Sequence, residues 1–255
     1  MTLFYKSINI NYTIAGQGDT LVLLHGFLEN QSMWDAFIPT LSQNRKVITV
    51  DLLGHGKTPC IGYVHTMEMM ADAVFAVLRH EGVETFSVVG HSMGGYVALA
   101  LAKKIPNMIE TLCLLNSTPY TDSEERIKIR KRGIEAAKKN YGQVVRISVR
   151  NLFAKKSKIL FPGEIEIVVN DALKTPLQGY IAAQEGMMKR SDQDLFLRES
   201  RFNKKLILAK DDPVLDSDLL QRDFQDSDLE LVIIPDGHMS HIEQFFEVLN
   251  RLSKI

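Results

Sequence analysis

Short unbroken apolar runs alternate along the chain with stretches whose apolar residues recur every three or four positions. This is the pattern of a mostly parallel sheet covered by helices. "LFYKSI" and "INYTIAG" predict two short opening strands. "TLVLLHG", "KVITVD", "FSVVG" and "TLCLLN" follow, and such continuous runs suit strands buried on both faces. Within residues 66–80, Met67, Met70, Ala71, Val74, Val77 and Leu78 share one helical face. Residues 93–104, "MGGYVALALAKK", predict a nearly all-apolar helix against the sheet, ended before Pro106. From about Pro119 to Phe202 the strand pattern stops, and four helices are expected near 123–140, 142–154, 163–174 and 176–190. "KKLILAK" and "LELVIIP" then resume it, with a final helix near 240–253. The expected fold class is α/β: a mostly parallel eight-stranded sheet flanked by helices, built from 1–119 and 203–255, with a four-helix insertion at 120–202.

Composition narrows the field. With 45% apolar and 24% charged residues, 255 residues can bury a core as one domain with an insertion. A net charge of -1 argues against a general nucleic-acid binder. Two cysteines, Cys60 and Cys113, suggest neither a disulfide framework nor a metal cluster, so no metal is expected. No window reaches membrane-span length, and the first residues lack a basic start followed by an apolar stretch. The expectation is a soluble, cytoplasmic protein with no membrane partner. Charge is uneven, however: residues 122–158 hold twelve Lys or Arg against four Asp or Glu. Such a segment either steers anionic substrates or partners, or is a solvated helix face. The scatter of the basic residues around the helix favours the second reading.

The chemistry centres on "VVGHSMGG", residues 88–95. A strand ending at Gly90 and a helix beginning near Met93 force a sharp turn at Ser92, and Gly90, Gly94 and Gly95 supply the small neighbours it needs. Such a turn lifts the hydroxyl above the strand ends and points the Met93 N–H into the same space, at the positive end of a helix. A serine needs a base to become a nucleophile. His91 would point away from Ser92, while His25 and His55 sit in loops after strands, where they pin backbone. His65 and His80 carry no signal. His238, in "IIPDGHMSHIEQ", follows the last strand and a turn glycine, which puts it on the Ser92 edge of the sheet, with His241 as a lesser alternative. An imidazole base needs an orienting carboxylate. Asp211 and Asp212 both end the strand "LILAKDD", and Asp216 lies further on. The second oxyanion donor is expected from "HGFLEN", where Gly26 allows close approach and the Phe27 N–H can point inward.

Taken together, "LLHGF" with Trp34 eight residues after Gly26, "DLLGHGKT", "GHSMGG", "AKDDPV" and "DGHMSHIEQ" resemble the α/β-hydrolase superfamily, in its serine carboxylesterase-like branch. The likeness extends over nearly the whole chain. It implies a catalytic Ser92, Asp212 and His238, with an oxyanion hole at Phe27 and Met93. The family's acid closes a Gly-x-x-Asp stretch, here Ala209 to Asp212, which favours Asp212 although alanine replaces the glycine. The insertion is similar to the helical cap that covers the site in this family. Aspartate-nucleophile members are disfavoured because the elbow holds serine.

The expected reaction is acyl transfer from a small, moderately apolar ester to water, with no cofactor. Trp34, Met187, Met188 and Met239, with Met33, Met93 and Phe27, are candidates for a soft apolar lining, ordinary core packing being the alternative. The same site would also serve C–C bond hydrolysis, lactone opening or cofactor-free peracid formation. A slow-turnover ligand receptor is the alternative of another class.

Overall fold

The computed structural model describes residues 1–255 and forms a strand at each of the eight apolar runs. These are β1 (Thr2–Tyr5), β2 (Ile8–Ala15), β3 (Asp19–Leu24), β4 (Arg45–Val50), β5 (Phe86–His91), β6 (Ile109–Leu115), β7 (Asn203–Ala209) and β8 (Glu230–Ile234). They make one sheet in the order β1-β2-β4-β3-β5-β6-β7-β8. Pairing is antiparallel only where β2 meets β1 and β4. The chain leaves β3 for β4 on one side and returns as β5 on the other, pairing Leu24 with Gly90. The carboxyl ends of β3 and β5 therefore face a crevice where strand order reverses, the place where open α/β sheets bind ligands.

Alternation along the strands explains why the runs are unbroken. Val22 and Leu24 enter one core, with Met70 and Val74 of α2 (Met67–His80) and Val97 and Leu101 of α3 (Met93–Lys104). Leu21 and Leu23 enter the opposite core, with Trp34, Phe37 and Leu41, the last ending the short helix α1 (Ile38–Leu41). A strand covered on both faces has no solvent side on which polar residues could alternate. Thr66 caps α2, its side chain accepting the Met69 N–H.

Between β6 and β7 the chain forms six helices rather than four: α4 (Glu124–Lys139), α5 (Tyr141–Arg150), α6 (Ser157–Leu160), α7 (Pro162–Ala172), α8 (Leu177–Met188) and α9 (Asp194–Glu199). The two additions, α6 and α9, span four and six residues, too short for a periodic apolar stripe to register. Ser123 caps α4, with Glu124 and Glu125 in its first turn and Lys138 and Lys139 in its last, complementing the helix dipole. α4, α5, α7 and α8 share a core that includes Ile134, Val145, Phe153, Val169 and Tyr180, and it takes in Leu28 and Met239 from loops at the sheet's carboxyl edge.

A helix beyond β7, Ser217–Phe224, also escapes the sequence pattern, since only Leu220 and Phe224 bury apolar side chains within it. The expected final helix is split into Ser240–Glu243 and Phe245–Leu252, because Gln244 (φ -135°, ψ 44°) leaves helical conformation and donates its side-chain amide to Asp236. No helix is long and apolar enough to cross a membrane.

Candidate active site

Ser92 sits between β5 and α3 with φ 50° and ψ -115°, a conformation that costs about 1–3 kcal/mol unless its surroundings enforce it. The surroundings do so. A Cβ on Gly90 would overlap the Gly94 carbonyl, and one on Gly94 would overlap the Leu24 carbonyl, so α3 starts pressed against β3. The Ser92 N–H donates to Leu115 O at 3.0 Å, and the Ser117 hydroxyl donates to Ser92 O at 2.8 Å.

His238 reaches this serine from the loop after β8. The Ser92 hydroxyl donates to His238 Nε2 at 2.8 Å, and His238 Nδ1–H donates to Asp212 Oδ2 at 2.7 Å. A carboxylate can only accept, so Nδ1 carries the proton and Nε2 keeps its lone pair toward the hydroxyl. Asp212 Oδ1 accepts the N–H groups of Val214 and Leu215 at 2.7 and 3.1 Å, and Asn116 Nδ2 donates to Oδ2 at 3.1 Å. Burial would raise the Asp212 pKa, but the charge and hydrogen bond of His238 and the donors of Val214 and Asn116 outweigh it and hold the carboxyl below its ordinary value. Asp211 is exposed and directs no side-chain hydrogen bond or ion pair anywhere. Asp216 instead caps the helix at Ser217, accepting the Leu219 N–H at 2.9 Å.

Phe27 lies in the loop after β3, and its N–H has no acceptor in the chain. Met93 is the first residue of α3, where backbone N–H groups lack partners within the helix. The structure thus brings together Ser92, His238, Asp212 and the loop of Phe27, residues drawn from four separate strand ends.

Behind them lies a group that sequence reasoning missed. Glu29 Oε2 accepts the Gly26 N–H at 2.6 Å and His91 Nδ1–H at 2.8 Å, and His91 Nε2–H donates to the His238 carbonyl at 3.0 Å. Both partners of His91 are acceptors, so both ring nitrogens carry protons and the ring is an imidazolium. Burial opposes this charge, but Glu29 overrides it and raises the His91 pKa. Burial likewise opposes the carboxylate, yet His91 chiefly holds Glu29 at about 2. One buried ion pair therefore ties the Phe27 loop, the serine turn and the His238 loop together. His241 stands 3.7 Å from Glu29, but burial lowers its pKa to about 3, so it is a neutral neighbour and no ion pair forms. Glu29, His91 and His241 form the one cluster of metal-ligand type, with atoms within 4.8 Å, but the closest of these atoms are already committed to one another.

The two pKa displacements set a pH window. Glu29 stabilises the fold above its ordinary 4.5, a contribution lost as pH falls toward 2; His91 stabilises it below its ordinary 6.5, a contribution lost as pH rises through its raised value. Glu29→Gln is expected to cost roughly 3 kcal/mol between those two limits and less on either side. Urea unfolding of both proteins across pH checks this, and a difference that stays flat with pH would refute the ion pair.

His25 and His65 pin loops. His25 accepts the Leu52 N–H at 2.9 Å, and His65 accepts the Ile61 N–H at 3.2 Å. His55 sits 3.1 Å from the Leu53 carbonyl, and burial brings its pKa to about 3.

A cavity of about 240 Å³ opens on Ser92 and His238, walled by Phe27, Tyr180 and Met187 among others. Five expected lining residues are corrected. Trp34 is fully buried in the second core, edge-on to Phe37, with the sheet between it and the first core. Met239 is fully buried in the helical core, and Met188 packs at that core's margin. Met33 does not line the cavity either, and the Met93 side chain is fully buried in the first core. Asn116 and Glu29 went unread because each acquires its role only through partners 96 and 62 residues away; the one local sign was Glu29 standing three residues after Gly26.

Residues 19–245 match the family model described as alpha/beta hydrolase fold. Among curated proteins, the chain is 37% identical over 105 residues to a pimeloyl-[acyl-carrier protein] methyl ester esterase of Aeromonas hydrophila, covering 41% of this chain and 40% of that protein. It is 34% identical over 121 residues to an sn-1-specific diacylglycerol lipase of Danio rerio, covering 46% and 38%. The chain spans well under half the length of the curated relatives it matches. Among solved structures, a thermophilic esterase from Thermogutta terrifontis with malate bound superposes with a TM-score of 0.91 at 28% identity, covering 97% of this chain and 92% of that one. An enol-lactonase from Burkholderia xenovorans superposes at 0.90 with 18% identity, covering 100% and 98%, a likeness of fold alone.

Proposed function

The chain belongs to the alpha/beta hydrolase family, and from that premise we propose that it hydrolyses small carboxylic esters through Ser92, His238 and Asp212. The observation that carries this reading is the unbroken hydrogen-bonded line from Asp212 through His238 to the Ser92 hydroxyl, at 2.7 and 2.8 Å. With Nδ1 protonated against an ionised carboxylate, His238 Nε2 takes the proton as Ser92 Oγ attacks the ester carbonyl. Asp212 then faces an imidazolium and stabilises it. The N–H groups of Phe27 and Met93, which have no acceptor within the chain, receive the developing oxyanion. His238 next protonates the departing alcohol, and a water repeats the sequence on the acyl-enzyme. No step requires a cofactor.

Residues 120–202 act in this reading as a cap over the site. Support comes from the cavity, whose walls combine Phe27, Ser92 and His238 of the sheet edge with Val144, Tyr180 and Met187 of α5 and α8. A space of about 240 Å³ suits a short acyl group. Steady-state hydrolysis of p-nitrophenyl acetate, butyrate and octanoate is the test. The two short esters are expected to exceed octanoate by about tenfold or more in kcat/KM, since a chain too long for the cavity forfeits binding energy. Absence of turnover on every short ester would overturn the proposal, and tight binding with product release over hours would indicate a receptor instead.

A further inference from the structure

One face of α4 turns Arg126, Ile129, Arg130 and Gly133 toward the cavity that holds Ser92 and His238. Their spacing of three and four residues is that of a single helical stripe. Every charged side chain on the cavity walls except Arg126 has an oppositely charged partner. His91 neutralises Glu29. Arg130 donates to Asp122 at 2.6 Å and to Gln184 Oε1 at 2.9 Å, and Asp122 also pairs with Arg190 at 2.8 Å. Arg126 has no carboxylate within ion-pair distance: of its five N–H donors, one, on Nη2, goes to the Val214 carbonyl at 2.7 Å. Its neighbours Glu124 and Glu125 are exposed and make no ion pair with it.

We infer that Arg126 is the anion-recognising residue of the cavity, and that the substrate is an ester carrying a second, ionised carboxylate. This rests on the ester-hydrolase reading of the site and names its substrate class. The guanidinium fork presents parallel N–H groups that fit the two oxygens of a carboxylate. The Val214 carbonyl holds the guanidinium in place before substrate arrives, which reduces the ordering that binding requires. Asp122, already shared between Arg130 and Arg190, adds no competing negative charge to the cavity wall. The basic character of residues 122–158 thereby acquires a specific use at one of its twelve cations.

Monomethyl glutarate and methyl pentanoate differ only in replacing a carboxylate by a methyl group, so their ratio of kcat/KM isolates the charge. The wild-type chain is expected to prefer the anionic ester by about tenfold or more, the effect expected of hydrogen bonds to a charged group. Arg126→Gln is expected to cut that preference by about 10- to 100-fold, mainly through KM, while Arg126→Lys retains part of it. Equal turnover of the two esters by the wild type overturns the inference. So does an Arg126→Gln variant that loses both activities in proportion, the result expected if Arg126 merely braces the Val214 loop. Should neither ester be turned over, the hydrolase reading fails separately, and calorimetry of glutarate on Ser92→Ala decides the anion site. Binding that disappears when Arg126→Gln is added supports it; no binding overturns it.

Discussion

Replacing Ser92 by alanine is expected to lower ester kcat/KM by more than about a thousandfold, with the folded structure retained. The turn at φ 50° is imposed by Gly90 and Gly94 closing on neighbouring backbone, and an alanine Cβ occupies the same place as that of serine. The substitution removes only the oxygen that His238 Nε2 faces at 2.8 Å. Two measurements check this: turnover of p-nitrophenyl butyrate, and covalent labelling by a fluorophosphonate, which should be lost in the same variant. Retention of more than about one per cent of activity would mean that another group attacks the carbonyl.

The second large effect separates two adjacent aspartates. Asp212→Asn is expected to cost about a thousand- to ten-thousandfold in kcat, whereas Asp211→Asn should stay within a few fold. Asp212 Oδ2 accepts from both His238 Nδ1 and Asn116 Nδ2. An amide NH2 in that position would confront two donors. Asn116 can turn its own amide over if the Ser240 hydroxyl, which donates to its Oδ1, rotates to accept instead, but the new NH2 would still face His238 Nδ1–H. The alternative, turning the oxygen of the new amide to His238, forfeits the N–H groups of Val214 and Leu215. The first arrangement costs His238 the tautomer that keeps a lone pair at Nε2. The second keeps that tautomer but sets an NH2 against two N–H donors, and both remove the negative charge that stabilises the imidazolium. Asp211 is exposed, and only its backbone N–H is engaged, with Asp236 O at 2.9 Å. Pre-steady-state turnover of both variants on one ester gives the comparison, and similar losses in the two would contradict the geometry.

Much of this architecture is readable without coordinates because it depends on neighbours in sequence. An apolar run of six residues bounded by turn residues already specifies a doubly covered strand, and "GHSMGG" already specifies a tight strand-to-helix turn. The order of Ser92, Asp212 and His238 along the chain likewise follows from which strands they end. Where short apolar spacing thins out, the pattern weakens: the helix at Ser217–Phe224 hangs on two buried side chains, and the break at Gln244 depends on a bond to Asp236.

Tertiary structure alone decided the rest. Trp34, eight residues from Gly26, belongs to the far core because the sheet turns its segment beneath β3, away from the cavity. Glu29, an unremarkable acid in sequence, becomes half of a buried ion pair once β3 and β5 lie side by side and bring His91 to it. Arg126 gains an unmatched charge on a cavity wall only when α4 comes to lie over the strand ends. The physical reason is common to all three. Turn chemistry and periodicity are properties of a few consecutive residues, whereas charge pairing and burial depend on which distant segments the order of the sheet sets side by side.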